Sequence, residues 1–181
     1  MTLNNLTDLT AQMLGMDEAS QLDASQQALI AQALNQAVSL ACIRRRMPLY
    51  SESVTLDGQG MGKESLLAKQ VWRILAVERE NSSLAFTRLW KNGETYYSVP
   101  GHGGESVTIH YTYLPGTLTG TDVPPLPEWF QPFLADYAAA QMLNQGDPAR
   151  QRQLEHHLEH WYEGLAHLEP IGGRENRFRN L

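Results

Sequence analysis

The sequence predicts an α+β fold, in which helical hairpins at both ends of the chain pack together and an antiparallel β-sheet is inserted between them. Residues 1–46 and 132–168 repeat apolar side chains with a helical period. Residues 47–116 instead carry short alternating runs separated by turn signals. Because these strands follow one another without intervening helices, an antiparallel sheet is favoured over a parallel one. The 181 residues fit one domain overall.

The first zone, residues 1–46, predicts a short helix from Leu3 to about Leu14 and a long helix after Asp23. Asp23 is a good N-cap, and Gln26 three residues later completes a near capping box. The long helix carries two apolar stripes: Ile30, Leu34, Ala37, Val38 and Ala41, and Leu29, Ala33 and Leu40. It is therefore expected to be buried on more than one side.

The second zone, residues 47–116, predicts the inserted sheet. Residues 71–79 and 84–90 read as strands joined by a polar turn, and Asn92-Gly93 is a signal for a tight hairpin turn. Residues 106–114 alternate apolar and polar side chains, which indicates a half-buried antiparallel strand with one wet face.

The remainder of the chain predicts a connector, a helical pair and a tail. Residues 117–131 are rich in proline, and Pro132 fits the first turn of a helix. The last helix has one apolar seam: Leu154, Leu158, Trp161, Leu165 and Leu168. Residues 169–181 have no periodicity and are expected to form an extended tail.

Charge and cysteine content limit the classes of function. The formal net charge of -6 gives no general attraction to nucleic acid. The single cysteine, Cys42, lies in an apolar helical pattern and is expected to be a core residue and not a nucleophile. The first ten residues lack the pattern of a signal peptide, and no apolar run reaches the roughly 20 residues that span a membrane. A soluble intracellular product with no membrane partner is expected.

A glycine-rich stretch, TLDGQGMGKES at 55–65, raises the question of phosphate binding. Gly62 and Lys63 match the Gly-Lys pair of a phosphate loop, but Asp57 and Glu64 stand where glycine and a hydroxyl residue are required. The stretch also leads into an antiparallel hairpin. It is therefore interpreted as a flexible loop, and no cofactor is predicted.

A histidine cluster near the C-terminal end raises the question of a metal site. One helical face carries four polar residues: His156, His160, Glu163 and His167. Two histidines four residues apart can chelate a metal, but a catalytic site needs a third ligand from elsewhere, for which the candidates are Asp136 and His110. The face lies opposite the apolar seam, so an exposed or subunit-contacting surface is favoured. Neither a metal site nor an enzyme is predicted.

The tail combines arginines with apolar residues: Ile171, Arg174, Arg177, Phe178, Arg179 and Leu181. Arginine beside an aromatic residue is typical of an interface. Docking to a partner and an unstructured end are both open on composition.

Several phrases in a fixed order resemble one family, the head-to-tail adaptor (connector) proteins of tailed bacteriophages. The phrases are VWRILAVE at 71–78, IHYTYLPGTL at 109–118, DVPPLPEWFQPFLADYAAAQML at 122–143 and DPARQRQLEHHLEHWYEGLAHL at 147–168. No single motif is strict. The resemblance lies in the order of an aromatic strand, a proline-rich connector, an alanine-rich helix and a tyrosine-containing partner helix.

The resemblance implies a structural virion protein and not an enzyme. Such adaptors form a ring, usually of twelve copies, below the portal protein, and the ring lets DNA pass without sequence-specific binding during packaging and ejection. The tail residues named above would dock into the portal. Loops carrying Gly60, Met61, Lys63 and His102 would contact neighbouring subunits or the downstream tail or nozzle protein. The expected location is the tail vertex of the virion, after assembly in the host cytoplasm.

Two alternatives stay open at this point. The chain could be a tail-completion or tail-tube-capping protein, which binds a tail tube and not a portal. It could instead belong to a different class, a metal-dependent cell-wall hydrolase that uses His156 and His160.

Overall fold

A computed structural model describes residues 1–44, 47–143 and 148–168. Within these ranges the chain forms four α-helices and seven β-strands, so the predicted α+β class with an inserted antiparallel sheet is confirmed. The chain divides into two compact units. We call them the helical unit, made of the described residues of 1–46 and 117–170, and the sheet unit, made of residues 47–116. No helix in the described ranges is long and apolar enough to cross a membrane.

The helical unit begins with α1 (Leu3–Met13) and α2 (Ala24–Arg44), close to the predicted bounds. The Asp23 carboxylate accepts the Gln26 backbone N–H at 2.8 Å, and the Gln26 side chain accepts the Asp23 N–H at 3.1 Å. This reciprocal pair satisfies two N–H groups that a helix start leaves without partners. The predicted capping box therefore sets the start of α2.

The centre of the helical unit is α3 (Gln131–Met142), which packs against α1, α2 and α4 (Pro148–His167). Eight of its residues are buried: Gln131, Leu134, Ala135, Asp136, Tyr137, Ala138, Ala139 and Ala140. Burial around the whole circumference is expected for a helix surrounded by neighbours. On α4 the predicted seam faces inward: Leu154, Trp161, Leu165 and Leu168 are buried and Leu158 is half-buried.

The sheet unit contains two antiparallel sheets. Their strands are β1 (Leu49–Thr55), β2 (Met61–Lys63), β3 (Val71–Arg79), β4 (Ser82–Leu84), β5 (Thr87–Lys91), β6 (Glu94–Ser98) and β7 (Ser106–Tyr113). The strand order is β1-β7-β3-β4 in the first sheet and β2-β6-β5 in the second. Both sheets contribute to one apolar core, whose buried members are Leu56, Leu67, Ile74, Val77, Tyr97, Val99, Val107, Ile109 and Tyr111.

One predicted strand is split in the structure. The sequence predicts a single strand over 84–90, but β4 ends at Leu84 and pairs with β3, whereas β5 starts at Thr87 and pairs with β6. The chain passes from one sheet to the other at Ala85 and Phe86, and Phe86 packs against the core. Phe86 is therefore apolar because it packs against the core at the crossover, and not because it continues a strand.

The predicted hairpin turn is confirmed between β5 and β6. Asn92 and Gly93 have φ values of 54° and 79°, and the register pairs Trp90 with Thr95 and Lys91 with Glu94. Positive φ at both central residues is the signature of the turn that best matches strand twist, and Asn-Gly adopts it readily.

Candidate interaction surfaces

The glycine-rich stretch is folded into a turn that Asp57 caps. One carboxylate oxygen of Asp57 accepts the backbone N–H groups of Gln59 at 2.9 Å and Met61 at 2.8 Å. Its carbonyl oxygen accepts the N–H groups of Gly60 at 3.0 Å and Gly104 at 2.8 Å. In a phosphate loop, such N–H groups point at the phosphate; here the protein's own carboxylate binds two of them. The expected flexible loop is therefore a hydrogen-bonded turn that leads into β2.

Two loops, 56–60 and 99–105, lie backbone against backbone, and we call them the paired loops. The Val99 N–H donates to the Gly60 carbonyl at 2.8 Å, and the His102 N–H donates to the Val99 carbonyl at 3.3 Å. Gly60 has φ +76°, and a Cβ there would lie 2.4 Å from the Val99 oxygen. Only glycine fits such an approach. Two predicted contact residues, Gly60 and His102, are thus brought together.

The other two predicted contact residues, Met61 and Lys63, lie on the edge strand β2. Met61 is half-buried, whereas the Lys63 side chain is 42 % exposed and its ammonium lies 2.8 Å from a Glu94 carboxylate oxygen. The hydrogen bond that Lys63 donates to Glu94 raises the pKa of Lys63 and lowers the pKa of Glu94. Lys63 also lies 5.6 Å from the centre of the Tyr96 ring. The edge therefore presents a fixed cation beside an aromatic ring.

An ion cluster ties the paired loops to β3. One carboxylate oxygen of Glu105 lies 2.7 Å from His102 Nδ1 and 2.6 Å from Arg79 Nη1. The hydrogen bond from His102, followed by the charge of Arg79, holds the pKa of Glu105 below its ordinary value. His102 is consequently held in place by this carboxylate.

The β5–β6 hairpin presents an apolar surface that sequence reasoning did not assign. All five residues of β5 are exposed, and Trp90 is 73 % exposed. Trp90 forms one wall of an open groove of about 500 Å³, whose other wall includes Lys69 and Gln70. Leu66, 79 % exposed, lies within the segment that forms this second wall. A tryptophan next to an Asn-Gly turn was the available signal, because a hairpin tip projects away from the core.

A buried carboxylate on α3 meets the histidines of α4. Asp136 is 4 % exposed, and one of its oxygens lies 2.8 Å from His157 Nδ1. Its other oxygen lies 3.6 Å from His160 Nδ1. The sequence pointed to His156 and His160, whereas the closest partner of Asp136 is His157. The signal for this pair was the single aspartate within a largely apolar helix pattern, because a buried carboxylate needs a partner.

The predicted outer histidine face exists. His156 and His160 are exposed, and their ring centres are 4.8 Å apart. Among the residues that the structure describes, no three His, Cys, Asp or Glu side chains are arranged to hold a metal ion. The geometry places Asp136 between His157 and His160, where it orders the junction of α3 and α4.

Cys42 is a core residue, as predicted, and it is 1 % exposed. Burial raises the pKa of its thiol to about 12, so the reactive thiolate is disfavoured. The predicted docking residues, Ile171, Arg174, Arg177, Phe178, Arg179 and Leu181, lie outside the described residues.

No protein-family model and no curated protein matches the chain. The resemblance to head-to-tail adaptors therefore stays a prediction.

Proposed function

We propose that this chain is a head-to-tail adaptor of a tailed bacteriophage, which forms a ring below the portal and links the capsid to the tail. The observation that carries the proposal is the number of large apolar side chains left in solvent on both units. They are Leu29, Ile43, Leu49, Tyr50, Leu66, Trp72, Leu89, Trp90, Val123, Trp129 and Tyr162. Five of them are aromatic, and exposed aromatic side chains are enriched at surfaces that protein partners cover.

The two units support different parts of this role. The helical unit has its centre in α3, where eight residues are buried, which suits a scaffold that must keep its shape within a ring. The sheet unit presents the paired loops, Lys63 and the Trp90 hairpin, which suit contact with neighbouring subunits or the downstream tail or nozzle protein. Docking into the portal falls to residues 171–181. The lumen of the ring would pass DNA, and the net charge of -6 keeps it from gripping phosphates.

In the decisive experiment, the purified chain is mixed with portal rings. The mass of the product is measured, and the product is imaged by electron cryo-microscopy. We expect a ring of copies attached to the portal. Deleting residues 170–181 should abolish portal binding without changing the helical circular dichroism signal. The Trp90→Ala chain should still bind the portal. A chain that ignores the portal but caps a tail tube would instead support the tail-completion alternative.

The deletion also has an outcome that contradicts the docking assignment. If the shortened chain binds the portal with unchanged affinity, the tail is not the anchor. If the full chain binds neither a portal nor a tail tube, the adaptor function itself is wrong.

A further inference from the structure

The outer face of α2 carries no charge. Among the 21 residues of α2, the only charged one is Arg44, at its last position. Leu29 and Ile43 are 51 % and 53 % exposed, although both are large and apolar. Exposed helix faces of soluble proteins are usually charged, whereas this face, about 30 Å long, combines two large apolar side chains with uncharged polar ones.

The exposed residues on this face have coiled-coil spacing. Steps of four and three residues connect Ser25, Leu29, Gln32, Gln36, Ser39 and Ile43. All are exposed except Ser39, which is half-buried. Such alternation keeps one seam facing a partner helix. A partner helix can therefore lie along this face.

The seam is complementary to itself when it is reversed. In antiparallel pairing centred on position 34, Ser25 faces Ile43, Leu29 faces Ser39, and Gln32 faces Gln36. The first two pairs place a large apolar side chain against a serine, and a large residue packs well against a small one. The third pair places one glutamine amide against another, and each amide offers both a hydrogen-bond donor and an acceptor.

We propose that the outer face of α2 binds the same face of a second copy of this chain, with the two helices antiparallel. The match of the seam with its own reverse favours a second copy as the occupant, and the charge of the chain favours this face for the contact. Two copies with a net charge of -6 each repel one another, so they approach best where neither presents a charge. The outer face of α4, in contrast, carries exposed Glu155, Glu159 and Glu163 and would oppose self-association.

This pairing goes beyond the adaptor function and does not depend on it. Neighbours in a closed ring meet through two different surfaces, whereas this contact uses the same surface on both copies. The pair is accordingly a form of the free protein or a link between rings. Portal binding can succeed or fail without affecting it.

The first test measures the dissociation constant of the free, full-length chain by analytical ultracentrifugation. Leu29→Glu should weaken dimerisation by roughly 30-fold or more, because each dimer would bury two unpaired carboxylates. Val123→Glu, at a residue 56 % exposed outside α2, is the matched control and should leave the constant unchanged. Ile43→Glu should repeat the effect of Leu29→Glu. A wild-type chain that stays monomeric, or a Leu29→Glu chain that dimerises like the wild type, overturns the proposal.

The second test reads the direction of pairing through disulfides. Leu29→Cys and Ser39→Cys chains are oxidised separately and as a mixture, with the wild type as the baseline for buried Cys42. In the antiparallel pair, position 29 of one copy faces position 39 of the other. Two copies of position 29 lie about 15 Å apart along the axis, beyond the reach of a disulfide. The mixed disulfide should therefore dominate; equally fast homodisulfides of Leu29→Cys would overturn the antiparallel arrangement.

Discussion

The helical unit buries one of its two tryptophans, Trp161, and leaves Trp129 51 % exposed, whereas the sheet unit buries neither of its two. In the helical unit, Trp161 is 2 % exposed, and its ring centre lies 5.8 Å from that of Phe130 and 5.1 Å from that of Tyr137. In the sheet unit, Trp72 is 48 % exposed and Trp90 is 73 % exposed. A tryptophan therefore supports the core in the helical unit only.

The difference follows from how each core is filled. The run of alanines on α3, from Ala138 to Ala140, lets neighbouring helices approach closely, and the large ring of Trp161 fills space among larger neighbours. In the sheet unit, aliphatic and tyrosine side chains fill the core, and Trp90 stands beside a turn where no layer covers it. The helical unit thus has an aromatic cluster around Trp161 in its core, while the sheet unit has aromatic surface available for binding.

The largest expected effect contrasts the two kinds of tryptophan. Trp161→Ala should lower the free energy of unfolding by about 3–5 kcal/mol, because it removes a buried ring and leaves a cavity. Trp90→Ala should change it by less than about 0.5 kcal/mol, since little of the ring is buried. Urea unfolding followed by circular dichroism measures both. Equal losses for the two variants would break the comparison.

A second prediction tests the backbone contact of the paired loops. Gly60→Ala should cost about 2 kcal/mol, because Gly60 has φ +76° and its new methyl group would meet the Val99 carbonyl, which is backbone and cannot rotate away. Gly58→Ala is the matched control, since Gly58 has open space around it and lacks a positive φ. Thermal unfolding of both variants gives the answer. A Gly60→Ala chain as stable as the Gly58→Ala chain would show that the paired loops are looser than their contacts indicate.

A third prediction concerns the corresponding glycine of the helical unit, Gly164 on α4. A Cβ there would lie 2.5 Å from the Phe133 ring. Replacing a helical glycine with alanine normally stabilises by up to about 1 kcal/mol, but here overpacking should reverse the sign and destabilise by about 1 kcal/mol. The cost is smaller than at Gly60 because a ring can move. In a Phe133→Ala background the same substitution should become stabilising, and a stabilising effect in the wild-type background would contradict the close packing.

Local patterns predicted the elements better than the contacts between them. The Asp23 capping box, the Asn92-Gly93 turn and the apolar seam of α4 depend on residues close in sequence, and each was read correctly. The split at Phe86 was missed, because an apolar residue at a crossover looks like one within a strand. Strand β1 was missed because its alternation is weak and its pairing with β7 depends on residues far along the chain.

The candidate surfaces were only partly predictable for the same reason. Gly60, Met61, Lys63 and His102 were chosen from loop composition, and the structure brings Gly60 and His102 together through Val99. The sequence shows that the charge of Asp57 disfavours phosphate binding. It does not show that the carboxylate accepts backbone N–H groups and so organises the turn. His157 was passed over for the more conspicuous His156 and His160, since only the fold reveals which histidine faces Asp136.

The smallest expected effect is the acid response of the sheet unit through Glu105. Hydrogen bonding from His102 and the charge of Arg79 hold the pKa of Glu105 in the folded state below its ordinary value of 4.5. Ionised Glu105 therefore stabilises the fold above pH 4.5, and this contribution is lost as the pH falls through the lower folded-state pKa. Glu105→Gln should remove that part of the acid dependence, so the urea midpoints of variant and wild type should converge as the pH drops below 4.5. Glu80→Gln, at a side chain 83 % exposed and 3.8 Å from Arg79, is the control and should keep the wild-type profile. If Glu105→Gln also keeps that profile, the cluster of His102, Glu105 and Arg79 does not tie the paired loops to β3, and the rigidity of this surface would rest on its backbone hydrogen bonds alone.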